Sequence, residues 1–478
     1  MCRGHSIRGI GSHIQVVPSS KTHKVELSDA VSVARFLVNR PEMRFSGATG
    51  LEGYGTTKKG DKVLICTDSL YDPQVADLIG YALREKGAKV DQIVVDVEPD
   101  RETREDDEIH AMMRRCPWTE YPRRYEGVHW VEQLAVRENY DLLILGRGGP
   151  ENFFDPADPG KGVVVDPTKR PKMRYEMIPW FDLRQLCSPY VTFPRDLHIL
   201  INEKVHTMAV IKSRGGTVHI TDPEGTDIRW TNFEEYYDGD RYWDTSGPIW
   251  SHIQCHATLP LLKKEDAEGV IAGTINHFGR PFPNIKTYYE GGKLMKIDGG
   301  GEYGDGWRSM VEETRSIQYP SFPSPGLFWL YEVAIGTNPK VIPEPPERIR
   351  FISSGGVEKE RGRSGVMHFG IGTDWRDTDE LWAGPKGILH GHLHIHLQFA
   401  TVEIKNQKGQ THKIIDNGHL TALDDPDVRK LASKYGNPDE VLKEAWIPKI
   451  PGINVPGDYE KDYASDPATW IYMGNRDK

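Results

Sequence analysis

Ile388 to Val402 reads ILHGHLHIHLQFATV, with His390, His392, His394 and His396 on every second residue. Leu389, Leu393, Ile395, Leu397 and Phe399 fill the alternate places. That period of two belongs to a strand, because residues i and i+2 share a face roughly 6.6 Å apart, whereas at about 100° per residue a helix would scatter them. The stretch therefore predicts a strand with one imidazole face and one apolar face. Two readings of the imidazole face stand side by side. A single alternating histidine is ordinarily a polar residue on a solvated sheet face. Four in register would repel one another when protonated, and neutral imidazoles on neighbouring pleats converge on a divalent ion at about 2.0–2.1 Å.

Working outward, 478 residues leave room for two or three domains with buried cores. Sixty basic residues against 70 acidic ones, a formal net charge of −10, offer no basic field for nucleic acid or an anionic membrane. The five cysteines, Cys2, Cys66, Cys116, Cys187 and Cys255, form no CxxC pair and no disulfide framework. The opening MCRGHSIRGIGSH lacks an apolar signal core, and no apolar run reaches the 18 or so residues of a membrane span. A cytoplasmic protein is the expectation.

Residues 1–57 read as an N-terminal arm, partly helical and ending in the glycine-rich GATGLEGYGTT, of the kind that packs on a neighbouring subunit. A homo-oligomer is expected on that ground. From 58 to 206 the text is α/β. KVLICTD (Lys62–Asp68) is a buried-strand run, QVADLIGYALREKGA a helix closing on Gly87, and VDQIVVDV a second strand, which together make a βαβ unit and imply a parallel sheet. HWVEQLAVREN and YDLLILG add a helix and a further strand. GRGGPENF carries neither a dinucleotide nor a P-loop spacing and reads as a turn. A proline-rich, basic insertion at about 155–194 suits a lid or an oligomer contact. From 207 to 478 short strands punctuated by Gly, Pro and Asp predict a β-rich metal-binding domain, with a hairpin turning about Glu290–Gly291–Gly292. A helix and an extended proline-rich tail, lying on a surface, end the chain.

Candidate chemistry gathers in the second half. His252 and His256 fall in PIWSHIQCHATLP. Glu332 sits in the apolar LFWLYEVAI, where a carboxylate is costly unless it meets a cation or a metal. His368 lies in a glycine-flanked strand whose small neighbours admit another group. GGGEYGDG (Gly299–Gly306) reads as a turn, with Glu302 and Tyr303 available to support a site. There is no GxSxG elbow and no HExxH helix, which disfavours a serine hydrolase and a zincin.

In these residues the sequence resembles the aminopeptidase T family of metallopeptidases and its relatives, the 2,5-dihydroxypyridine 5,6-dioxygenases. The matching text is GDKVLICTDSLYDP, DPEGTDIRW, EGVIAGT, GGGEY, EVAIGTNP, GVMHFGIGTD and HIHLQFATVEI, in that order from Gly60 to Ile404. The resemblance implies an N-terminal parallel-sheet α/β domain and a C-terminal open β-cylinder around a metal. It places Glu332, His368 and His394 on the family's metal-site Glu, first His and the His of a His-x-Asp pair. His396 stands where that pair has Asp. A neutral imidazole cannot bridge two cations as a carboxylate does, so the departure favours one metal over the peptidases' two. By analogy with the dioxygenases the resemblance implies one Fe(II) ion, with Zn, Co or Mn as alternatives. Its ligands would be His368, His394 and His396, with Glu332 a fourth ligand or a base and His252 or His256 an acid/base. The implied reaction opens a hydroxylated aromatic ring with O2. The alternative is a metal-dependent, aminopeptidase-like hydrolase.

Overall fold

The structure, a computed structural model, describes residues 6–7, 27–39, 54–69, 71–95, 131, 134–146, 154–155, 158–163, 173–178, 180, 182–234, 252–257, 265–276, 279, 281–343, 362–373, 378–383 and 386–471. Among them the chain is mixed α/β. The GRGGPENF turn falls outside the described residues except at Gly146.

The first half builds one sheet. Strands β2 (Lys62–Asp68), β3 (Lys89–Val95) and β4 (Leu142–Leu145) are parallel, and the two-residue β1 (Ser6–Ile7) pairs antiparallel at the β3 edge. Helix α2 (Pro73–Glu85) starts where the sequence dictates. The Asp72 side chain accepts from Gln74 N at 2.9 Å and Pro73 takes the first helical position, which needs no N–H. Within the stretch read as an N-terminal arm, helix α1 (Leu27–Val38) packs Ala30, Ala34 and Leu37 against α2, so it completes its own chain's core. Part of the proline-rich insertion also joins the core. The hairpin β5 (Phe154–Asp155) and β6 (Asp158–Val163) stands apart, but β7 (Arg174–Met177) adds a fourth parallel strand beside β4.

The second half folds into two antiparallel sheets. The larger runs in spatial order β13 (Lys293–Gly299), β12 (Pro281–Glu290), β11 (Glu268–Ile275), β9 (Thr226–Thr231), β8 (Thr217–Asp222), β17 (Thr401–Lys405), β18 (Thr411–Asp416) and β19 (His419–Leu420). Strands β8 and β9 alternate buried and exposed residues, the signature of a sheet with one wet face. Gly291 and Gly292, at φ +56° and +76°, close the β12–β13 hairpin in the left-handed conformation that a two-residue turn requires. The smaller sheet runs β10 (His252–Ala257), β14 (Leu330–Gly336), β15 (Met367–Gly372), β16 (His392–Leu397), with β16 at its edge.

Strand β16 is held between the sheets. Residues 398–400 carry the chain from β16 into β17, so one segment serves both sheets. On β11, a Cβ at Gly273 would lie 2.7 Å from Ile395 Cγ2 and 3.0 Å from His396 O, so only glycine lets β11 approach this closely. The C-terminal tail, read as a surface segment, forms a small core of its own: Trp446, Ile450, Tyr463 and Ile471 bury against Ile275 and Phe399. It also locks the exit of β16. Buried Arg363 meets Glu444 Oε1 at 2.9 Å and donates to Gln398 O at 2.8 Å.

Candidate metal centre

Two rows of residues cross the three strands β14, β15 and β16. In one, Glu332, Gly370 and His394 are neighbours; in the other, Ala334, His368 and His396. Side chains two apart on a strand share a face, so both rows present to the same side. The middle of the first row is a glycine and the outside of the second an alanine, which leaves space where Glu332, His368 and His394 meet. One donor atom from each of those three lies within 4.8 Å of the other two.

The distances describe a converging set. His368 Nε2 is 3.2 Å and His394 Nε2 3.7 Å from Glu332 Oε2. The His368 and His394 ring centroids are 4.5 Å apart. Both imidazoles are buried and the Glu332 side chain is 12% exposed, so the set is nearly dry. Burial alone would raise the Glu332 carboxyl, but the imidazoles beside it outweigh burial and hold it well below the usual carboxylate range. Burial pushes the His368 imidazole well below its usual value, against the pull of the Glu332 charge. An ionised carboxylate beside a neutral imidazole is the protonation state that binds a metal.

His396 takes a different position. Its Nε2 lies 2.6 Å from His368 Nδ1, within hydrogen-bond distance, and its ring centroid is 6.3 Å from that of His394. The contact occupies His368 on the side away from Glu332 and turns Nε2 forward. His390 lies at the approach to β16, its Nδ1 2.8 Å from Ile388 O, and burial lowers its pKa. His392 is in register with Gly372. On β10, His252 pairs with Gly336 and His256 with Val333 across a register shift. The side chains of His252, His256 and His392 are outside the described residues. Among the described residues, Glu332, His368 and His394 are the one group of three or more His, Cys, Asp or Glu side chains close enough to share an ion.

Tyr303, read from the sequence as available to support a site, joins it from a helix that the sequence reading did not place. GGGEYGDG leaves β13 through a turn at Gly299–Gly301 and continues as the start of helix α3 (Gly301–Thr314), and the Tyr303 hydroxyl donates to His394 O at 3.0 Å and accepts from His394 N at 3.4 Å. The signal was present as helical spacing: Tyr303, Trp307, Met310 and Thr314, at i, i+4, i+7 and i+11, are the buried side chains of that helix, with Glu302 in its first turn.

No family model and no curated protein matches the chain. In structure it is similar to 2,5-dihydroxypyridine dioxygenase from Pseudomonas putida KT2440, at 13% identity and a TM-score of 0.43, over 83% of this chain and 98% of that one. It is likewise similar to AmpT from Thermus thermophilus, at 13% identity and a TM-score of 0.43, over 82% of this chain and 99% of that one.

Proposed function

We propose that the protein is a metal-dependent enzyme that binds one divalent ion through Glu332, His368 and His394, and that it opens a hydroxylated aromatic or heteroaromatic ring with O2. The observation that carries this reading is the donor set itself. Two imidazoles and one carboxylate, converging in a buried site, are the ligand chemistry of non-haem ferrous oxygenases. When bound, Fe(II) supplies open coordination positions and one-electron chemistry toward O2. In the overall reaction one ring carbon–carbon bond breaks and both oxygen atoms enter the product.

The chain's own residues have separable roles. Glu332 would hold the ion with the two imidazoles and offset part of its charge. His368 presents Nε2 because its Nδ1 is engaged by His396, an outer partner that fixes ring orientation. The buried faces of Val333, Phe369 and Ile395 keep water from the far side of the sheet. His396, placed against His368 rather than Glu332, adds no carboxylate to bridge a second cation, which supports one ion over two.

The same two-His, one-Glu set also suits zinc, which keeps an aminopeptidase-like hydrolase as the second reading. The experiment is metal analysis of protein purified without oxygen, followed by oxygen uptake with a panel of hydroxylated aromatics and hydrolysis of amino-acid amides. About one iron per chain with ring-dependent oxygen uptake is the expected result. Two zinc or cobalt ions per chain with amide cleavage and no oxygen uptake would overturn it.

A further inference from the structure

The two histidines of the proposed centre are held by different devices. His368 is oriented through its side chain, by His396. His394 lies on β16, the edge strand of its sheet, where a strand's outward N–H and C=O normally find only water. Here they do not. The Tyr303 hydroxyl both donates to His394 O (3.0 Å) and accepts from His394 N (3.4 Å), so one oxygen replaces a missing strand neighbour at the residue that supplies the donor. Because the His394 backbone groups point outward, the pair His394–Gly370 is a non-hydrogen-bonded one, with no ladder bond to β15 at that position. Tyr303 is therefore what pins the backbone at His394 locally.

The hydroxyl is itself fixed. Gly299, Gly300 and Gly301 follow one another at φ +72°, +83° and +52°, and a Cβ on Gly300 would lie 2.8 Å from Gly304 Cα. The turn thus accepts glycine alone and sets where helix α3 begins. Two residues on, the Tyr303 ring stacks on Phe282 at 4.3 Å between centroids and meets Trp307 edge-on at 5.9 Å. Buried on three sides, the side chain has little freedom to follow β16 if β16 moves.

We infer that Tyr303 is a positioning residue for the metal centre: it clamps the His394 backbone at the sheet edge so that Nε2 stays aimed at the ion held with Glu332 and His368. This rests on the single-ion reading above. Removing an outer partner of a metal ligand typically weakens metal binding about 10–100-fold, and the same range is expected here.

Tyr303→Phe deletes one oxygen and keeps the stacked ring, so the chain should still fold. Met310→Ala serves as the packing control, since it loosens the same helix two turns on without touching the Tyr303 hydroxyl or the rings that hold it. Each metal-free protein is titrated with Co(II) without oxygen, against a competing chelator, with the cobalt absorption spectrum recorded. The inference predicts a dissociation constant about 10–100-fold higher and an altered spectrum for Tyr303→Phe, with Met310→Ala binding like wild type despite a lower melting temperature. Wild-type affinity in Tyr303→Phe, or equal weakening in both variants, would show the tyrosine to be packing alone. Wild type that takes up no ion, or His394→Ala that binds as wild type does, would instead remove the single-ion reading and this inference with it.

Discussion

His396→Ala separates a residue that aims a ligand from one that is a ligand. In the structure His396 Nε2 is 2.6 Å from His368 Nδ1, and both rings are buried. Truncation leaves His368 Nδ1 facing a cavity. A buried polar atom stripped of its partner costs about 1–3 kcal/mol. Without metal, the His368 ring can turn and recover part of that cost; with metal it must keep Nε2 forward, so the penalty falls mainly on the bound state. A penalty of that size corresponds to a loss of affinity of about 5–150-fold, at roughly 1.4 kcal/mol per factor of ten, which brackets the usual effect of outer partners. His394→Ala removes a donor outright and should leave no ion bound at micromolar metal. His396→Gln, which keeps an acceptor oxygen near Nδ1, should recover most of the affinity. The assay is an anaerobic Fe(II) or Co(II) titration of the three variants, with far-ultraviolet circular dichroism to confirm the fold. If His396→Ala is as empty as His394→Ala, His396 is itself a donor and the assignment made from the 2.6 Å contact is wrong.

Gly370 lies between Glu332 and His394 in register, so Gly370→Val should fill the donor space and abolish metal uptake while the sheet forms. Metal analysis beside circular dichroism reads both, and full metal content would refute the row of donors. A second buried network lies at the β8–β9 turn, where Glu224 Oε1 accepts from Thr274 Oγ1 at 2.8 Å and Tyr459 Oη at 3.0 Å, and where burial followed by the charge of Asp222 raises the Glu224 pKa. A carboxyl with a raised folded pKa binds more protons folded than unfolded, so its contribution is fully present below its ordinary value of 4.5 and is lost as pH rises through the raised one. Melting temperature should therefore fall on going from pH 5 to alkaline pH, and Glu224→Gln should flatten the profile; identical slopes would count against a protonated Glu224.

Local pattern explains what was legible. Lys62–Asp68 is a strand over the same residues in sequence and structure because a run buried on both faces, bounded by Gly60 and a proline-started helix, leaves no other register. The histidine strand was legible for the opposite reason, its strict alternation. Glu332 stood out as a charge in apolar text. The fourth parallel strand, Arg174–Met177, was obscured by the prolines around it, because four residues carry too little period to outweigh them. The tail was obscured too. Its core residues Trp446, Ile450, Tyr463 and Ile471 are spaced without a helical or strand period, since an irregular segment buries whichever side chains its partners reach.

What no local pattern contains is the register between strands. His394 and His396 are alike in sequence, both imidazoles on one face of one strand, both flanked by aliphatics. Their chemistry diverges only because β15 sets Gly370 opposite the first and His368 opposite the second. Opposite glycine, an imidazole finds room and reaches Glu332 two strands away; opposite histidine, it finds a ring and pairs with it. A slip of β15 by two residues would keep every side chain on its face yet set Gly370 opposite His396 and Gln398 opposite His368, which breaks the pair of rings. The division between donor and orienting partner thus resides in the pairing of two strands, and the residue that decides it is the one without a side chain.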